Sequence, residues 1–183
     1  DDRVDRQNHM TNELSKYGLE NFVKRYSAIK ADVKTPQNCM IASGTSHRNI
    51  IQYAYENNLD NVLILEDDVF IKENSMELIE KSLDSLSKID DWDLYYISAN
   101  IFDNPINLVD ENLMFIHGCY CVHAYGVNKR AYEKILKYNP QTDVPIDAWF
   151  YQNNFIKYGG YPLLVSQIDS VSDNRSEEHT SEL

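Results

Sequence analysis

The amino-acid sequence predicts a single α/β domain, with strands and helices alternating in layers, on three observations. Val62-Leu63-Ile64-Leu65 and Leu94-Tyr95-Tyr96-Ile97 are short, continuously apolar runs, the signature of strands buried on both faces. Segments with apolar residues at helical spacing lie between such runs. The chain has 183 residues, 43% hydrophobic and 25% charged, and size scaling lets a chain of this length bury about 70% of its extended surface.

In chain order, Asp5 predicts the N-cap of a helix running to about Tyr17, with Gly18 suited to its stop. Phe22, Val23, Tyr26 and Ile29 predict a strand-like stretch entering a Thr35-Pro36 turn. Ser43 to Ser46 offer caps for a helix from about His47 to Asn58, with Ile50, Ile51, Ala54 and Tyr55 on its inner face. The Val62–Leu65 strand stops abruptly at Glu66-Asp67-Asp68. Asn74 and Glu77 resemble a capping box for a helix with a Met76, Ile79, Leu83 and Leu86 stripe. After the Leu94–Ile97 strand, Asn104-Pro105 marks a loop and Leu113 to Val127 is extended. Asn128 caps a helix through about Tyr138, Pro145 precedes another carrying Ala148, Trp149, Tyr151, Phe155 and Ile156, and Tyr161 to Val165 forms the last strand.

Seventeen Lys and Arg against twenty-nine Asp and Glu give a net charge of −12, which opposes binding to nucleic acid or a bare anionic membrane. Three cysteines, Cys39, Cys119 and Cys121, are too few for a disulfide framework and suit a reducing compartment. No apolar run approaches the roughly 20 residues of a transmembrane helix. Residues 1–174 read as one domain. Residues 175–183, Arg-Ser-Glu-Glu-His-Thr-Ser-Glu-Leu, continue no pattern and read as a non-native, sequencing-adapter-like tail, the alternative being a native polar tail.

Three constellations bear on chemistry. Glu66, Asp67 and Asp68 place three carboxylates just past a buried strand, where open α/β sheets bind ligands; such a set suits Mn²⁺ or Mg²⁺, or forms a solvated acidic turn. His117, Cys119, Cys121 and His123 alternate as zinc ligands might be imagined to do. On one strand, however, the two histidines stand about 20 Å apart, which favours a plain strand with packed cysteines. Asp147, where a loop becomes a helix, is an N-cap or a catalytic carboxylate.

Taken with Asp1-Asp2-Arg3-Val4-Asp5-Arg6, Ser46-His47, Ala124-Tyr125-Gly126 and Pro145-Ile146-Asp147, all in order, the acidic motif makes the chain resemble glycosyltransferase family 25. That family includes lipooligosaccharide and collagen galactosyltransferases. The resemblance covers about residues 1–173, with Ser172-Asp173 a further matching position. It implies a GT-A-like (Rossmann-like) sandwich whose mixed, mostly parallel sheet lies between helices, with the first strand, expected before Asp1, missing. It also implies transfer of a hexose, usually galactose, from a UDP-sugar to a glycan or glycoconjugate hydroxyl, aided by Mn²⁺ or Mg²⁺ and related to lipopolysaccharide biosynthesis. By the same resemblance, Asp68 contacts the metal and Glu66 serves the metal and ribose side. Arg3, Arg6, Ser46, His47, Asp67, Tyr125 and Gly126 fall on donor-binding or cleft positions. An inverting reaction, which the bacterial members suggest, makes Asp147 the candidate base. Those members also imply a cytoplasmic enzyme at a membrane face, whereas a collagen-type relative would be lumenal. A silent sugar-nucleotide or glycan-binding relative and a phosphoacceptor receiver domain are the competing readings.

Overall fold

The computed structural model describes residues 3–102, 105–163 and 165–167. Ser172-Asp173 and the tail from residue 175 lie outside the described residues, as do Asp1, Asp2 and Asn104. The elements are α1 (Val4–Ser15), α2 (Pro36–Glu56), β1 (Asn61–Leu65), β2 (Val69–Ile71), α3 (Met76–Leu86), β3 (Leu94–Ile101), β4 (Asn107–Leu108), β5 (Leu113–Ile116), β6 (Cys119–Asn128), α4 (Lys129–Ile135), α5 (Ile146–Gln152), β7 (Lys157–Gly160) and β8 (Val165–Gln167). Six strands form one sheet in the order β1-β6-β3-β7-β5-β4, and β2 pairs with β8 in a separate ribbon.

The sandwich is present, but the sheet is not mostly parallel. Only β3 with β7 runs parallel; the other four pairings of the large sheet are antiparallel. Alternation along β3 divides the core. Leu94 and Tyr96 join Ile51 of α2, Ala131 of α4 and Phe150 of α5 on one face. Tyr95 and Ile97 join Ile79 and Leu86 of α3, with Val69 of β2, on the other. The Val62–Leu65 run is an edge strand rather than one buried on both faces: Ile64 packs under α2, while Leu63 is 53% exposed. The helix layer covers the Ile64 face of this outer strand and not its Leu63 face, which a local apolar count does not register.

Several boundaries move for local reasons. Arg3, not Asp5, occupies the cap position of α1, and Asp5 sits in its first turn. Residues Phe22 to Ile29 form no strand; their apolar side chains are exposed, and the Ile29 amide donates to Ser46 Oγ at 2.8 Å. The helix expected from His47 begins at Pro36, because Thr35 Oγ1 accepts the Asn38 amide and Pro36 fills the first helical position. Thr45 and Ser46 therefore lie inside α2 and donate to the carbonyls of Ile41 and Ala42, one turn back. Gly44 is also interior, where an added Cβ would approach Tyr138 Oη to 2.6 Å. Asn74 does not cap α3 but adopts φ +60°, and the α3 stripe runs through buried Ser82, whose hydroxyl meets that of Tyr95, while Leu83 is 45% exposed. Asn128 does cap α4, its Oδ1 accepting the Arg130 amide at 3.1 Å. The last sheet strand is Lys157–Gly160; Tyr161-Pro162 follows it, and Val165 belongs to the β2–β8 ribbon.

Candidate active site

β1 carries the chain directly into the acidic turn. The Glu66 amide extends the ladder by donating to His123 O at 2.8 Å, and the Val69 amide closes the turn on Glu66 O. Behind Glu66 stands α2. His47 Nε2 lies 3.1 Å from Glu66 Oε1, and His47 Nδ1 lies 3.1 Å from Tyr125 Oη. With Nε2 donating to the carboxylate, Nδ1 is left to accept the Tyr125 hydroxyl, which burial holds well above its usual pKa and hence protonated. His47 is 5% exposed and Tyr125 0%, and the Tyr125 ring is packed by Tyr96 and Phe150. Burial pushes the Glu66 carboxyl up, but the His47 hydrogen bond and the Arg6 charge act against it, and Glu66 lies below the usual value.

The other two carboxylates face α1. Arg6 Nη1 lies 2.5 Å from Asp67 Oδ1 and 3.3 Å from Asp68 Oδ2. His9 Nε2 meets Val69 O at 2.7 Å and fastens the same helix to the turn. Arg3 is elsewhere: its guanidinium grips exposed Asp5, which it holds down to about 2. Ser46 serves the helix backbone, and Gly126 is a ladder residue between Leu63 and Tyr95; neither lines the cleft.

A cleft of about 250 Å³ does bring Glu66 and Asp147 together, with Cys121 and His123 between them and Met40, Ser43 and Gly44 of α2 opposite. Asp147 opens α5. Its Oδ1 accepts the Ala148 amide at 2.8 Å and its Oδ2 the Cys121 amide at 3.2 Å. The second bond exists because Cys121 adopts φ +72° within β6, turning its N–H out of the ladder; Cys121 Sγ accepts from Asn100 Nδ2 at 3.2 Å. A left-handed non-glycine residue at a cleft is stored strain of the kind that functional sites carry.

His123 is the residue that sequence reasoning passed over. The alternation of His117, Cys119, Cys121 and His123 groups it with His117, which borders a different cleft. His123 Nε2 and Ser98 Oγ are 2.5 Å apart, at a point where the β3–β6 register shifts, and its Nδ1 is buried without a hydrogen-bond partner among the described residues. Burial lowers the His123 pKa despite the Glu66 and Asp68 charges, so the ring is neutral at pH 7. Its place opposite the turn's amide is a long-range pairing that no local motif announces.

The carboxylates as placed do not fit a divalent ion. Asp67 and Asp68 face a guanidinium, Glu66 faces an imidazole, and among the described residues no three His, Cys, Asp or Glu side chains converge as a metal set.

A mixed sheet covered by helices, with two carboxylates meeting across a cleft at a strand end, is compatible with an α/β glycosyltransferase. Residues 11–150 match the family model described as glycosyltransferase family 25 (LPS biosynthesis protein), and the chain belongs to that family. The match spans Ser46, His47, the acidic turn, Tyr125, Gly126 and Asp147, but not Arg3 or Arg6. No curated protein matches the chain. Among the described residues, no helix is long and apolar enough to cross a membrane. Family membership supports a glycosyltransferase, whose partners are a sugar donor and an acceptor, over the phosphoacceptor reading.

Proposed function

We propose that the protein transfers a hexose, galactose in the first instance, from a UDP-sugar to a hydroxyl of a glycan or glycoconjugate, with inversion. The observation that carries this reading is the shared cleft of Glu66 and Asp147. Inversion needs a base on the face opposite the leaving group. Asp147 accepts the acceptor hydroxyl proton, the freed oxygen pair forms the new bond to the anomeric carbon, and the electrons of the broken C–O bond leave on the diphosphate. Glu66, held ionised by His47, faces the donor ribose. Arg6 shares its one positive charge between two of the turn's carboxylates, which reduces repulsion against a dianionic donor. A resident divalent ion is not used in any of these steps. The enzyme works at the cytoplasmic face of a membrane, where lipid-linked glycan acceptors are presented.

A catalytically silent sugar-nucleotide-binding relative is the second reading, favoured by one observation: both Asp147 oxygens already accept backbone amides, which weakens a carboxylate as a base. Calorimetric titration of UDP, followed by UDP-galactose turnover in the parent and Asp147→Asn, separates the two. The transferase reading expects turnover to fall by roughly 10²-fold or more with UDP affinity unchanged. Metal-independent UDP binding without turnover in the parent supports the silent relative.

A further inference from the structure

Beside the cleft lies a group of aromatic side chains that the steps above do not use. Phe102 follows β3, Tyr120 lies at the start of β6 and Tyr151 is on α5, yet their rings meet. Centroids are 5.1 Å apart for Phe102–Tyr120, 5.3 Å for Phe102–Tyr151 and 6.1 Å for Tyr120–Tyr151. They remain 49%, 42% and 44% exposed, respectively. The local backbone is shaped to hold them: the Phe102 ring crosses Gly118 where any Cβ would overlap it, and the Phe102 amide donates to Gly118 O at 3.2 Å.

Their placement relates them to the chemistry. Tyr151 is four residues after Asp147 on α5, so the two share a helix face. Tyr120 immediately precedes Cys121, whose amide holds Asp147, and it pairs across the ladder with Asn100. Tyr151 also borders a second cleft, of about 520 Å³, with Gln152 and Lys157 among its lining residues. Clustered half-exposed rings keep apolar area in water, which a ligand stacked on them would remove. A hexopyranose answers this surface, because it presents one face of C–H groups to a ring and a rim of hydroxyls to phenols and amides.

The geometry points to an acceptor-sugar subsite at Phe102, Tyr120 and Tyr151, which stacks a hexose ring of the acceptor glycan and delivers one of its hydroxyls to Asp147. This deepens the transferase reading and rests on Asp147 being the acceptor-side base. The test is saturation-transfer NMR with methyl β-galactoside, methyl β-glucoside and lactose as probes. It compares the parent, Phe102→Ala, Tyr151→Ala and Phe102→Leu, with UDP affinity measured by calorimetry on each. The expected result is saturation of the C–H face of a probe in the parent and at least tenfold weaker sugar binding in all three variants. UDP affinity should change less than twofold. Phe102→Leu keeps apolar bulk without a ring, so its loss assigns the effect to stacking, and unchanged melting temperatures exclude misfolding. Equal sugar binding in parent and variants overturns the subsite, as does a parent that saturates none of the probes. Loss of UDP affinity overturns it by assigning the rings to the donor base. A dimer in the parent that Phe102→Ala dissolves overturns it by assigning them to a second copy. Ring-dependent sugar binding without UDP binding or turnover keeps the subsite and removes the transferase reading; hexose transfer with unaltered kinetics in the ring variants does the reverse.

Discussion

The chain Tyr125–His47–Glu66 makes a quantitative prediction about coupling. In His47→Ala, the Tyr125 hydroxyl, fully buried, loses its acceptor, which costs about 1–3 kcal/mol. The imidazole also leaves a void beside Tyr125, worth roughly 1–2 kcal/mol. Glu66 loses its donor as well, but its side chain is 31% exposed and water replaces much of that bond, so this adds less than about 1 kcal/mol. The expected destabilisation is about 2–6 kcal/mol. Tyr125→Phe instead orphans His47 Nδ1 and costs about 1–2 kcal/mol. The double variant removes both orphaned atoms and should fall short of the sum by about 2–5 kcal/mol, the two orphaning costs together. Urea unfolding of the four proteins gives this difference directly. Additivity within about 0.5 kcal/mol would show that the two side chains do not share a bond and would refute the argument. The pH dependence supplies a second reading of the same chain. Because Glu66 is held below its usual pKa when folded, its contribution is present above the unfolded value and lost as the pH falls through the lowered folded value. In His47→Ala, that loss on the acid side should shrink.

Cys121→Val, which places a β-branched side chain at φ +72°, should lose about 1–2 kcal/mol in thermal unfolding, whereas Cys121→Gly should be neutral or stabilising; equal effects would argue against strain there. Gly44→Ala, ordinarily stabilising inside a helix, should here cost about 1–3 kcal/mol because its Cβ meets Tyr138 Oη, and Tyr138→Phe should recover part of it in denaturant titrations. Arg6→Ala removes the guanidinium facing Asp67 and Asp68, so millimolar Mn²⁺ should raise the melting temperature of this variant and leave the parent nearly unchanged; an equal rise in both would show that the turn releases Arg6 to a metal on its own.

What could be read in the sequence was what local chemistry decides. Leu94–Ile97 is a central strand because it is apolar on both faces, Asn128 caps α4 because its side chain reaches the Arg130 amide, and the acidic turn follows β1 where the apolar run ends. Errors arose where the deciding partner is distant. Thr35-Pro36 reads equally well as a turn or a helix start, and only the packing of α2 against α4 and the sheet selects the second. The apolar residues from Phe22 to Ile29 pair with no strand among the described residues. Strand direction depends on which edges meet, so the Lys-Tyr-Gly-Gly segment, where the local pattern predicts no strand, becomes β7, Gly159 admitting Ile116 and the Tyr96 carbonyl. The candidate site divides in the same way. Glu66 and Asp147 stand out by their neighbours in sequence, but His123 and Ser98 gain meaning only from the β3–β6 register, and Ser46, Gly126 and Arg3 are occupied with structure.

The continuous helix α2 has a mechanical consequence. Its 21 residues form a rod about 30 Å long. Its early turns supply Met40, Ser43 and Gly44 to the cleft wall, its middle supplies the imidazole that keeps Glu66 ionised, and Arg48 and Gly44 lock it to the end of α4 through the Leu136 and Tyr138 carbonyls and the Tyr138 ring. A rod of this kind cannot widen the cleft while leaving its imidazole in place. Aperture and proton affinity are therefore a single degree of freedom: a ligand that wedges α2 away from β6 also draws His47 off Glu66 and raises the affinity of that carboxylate for a proton.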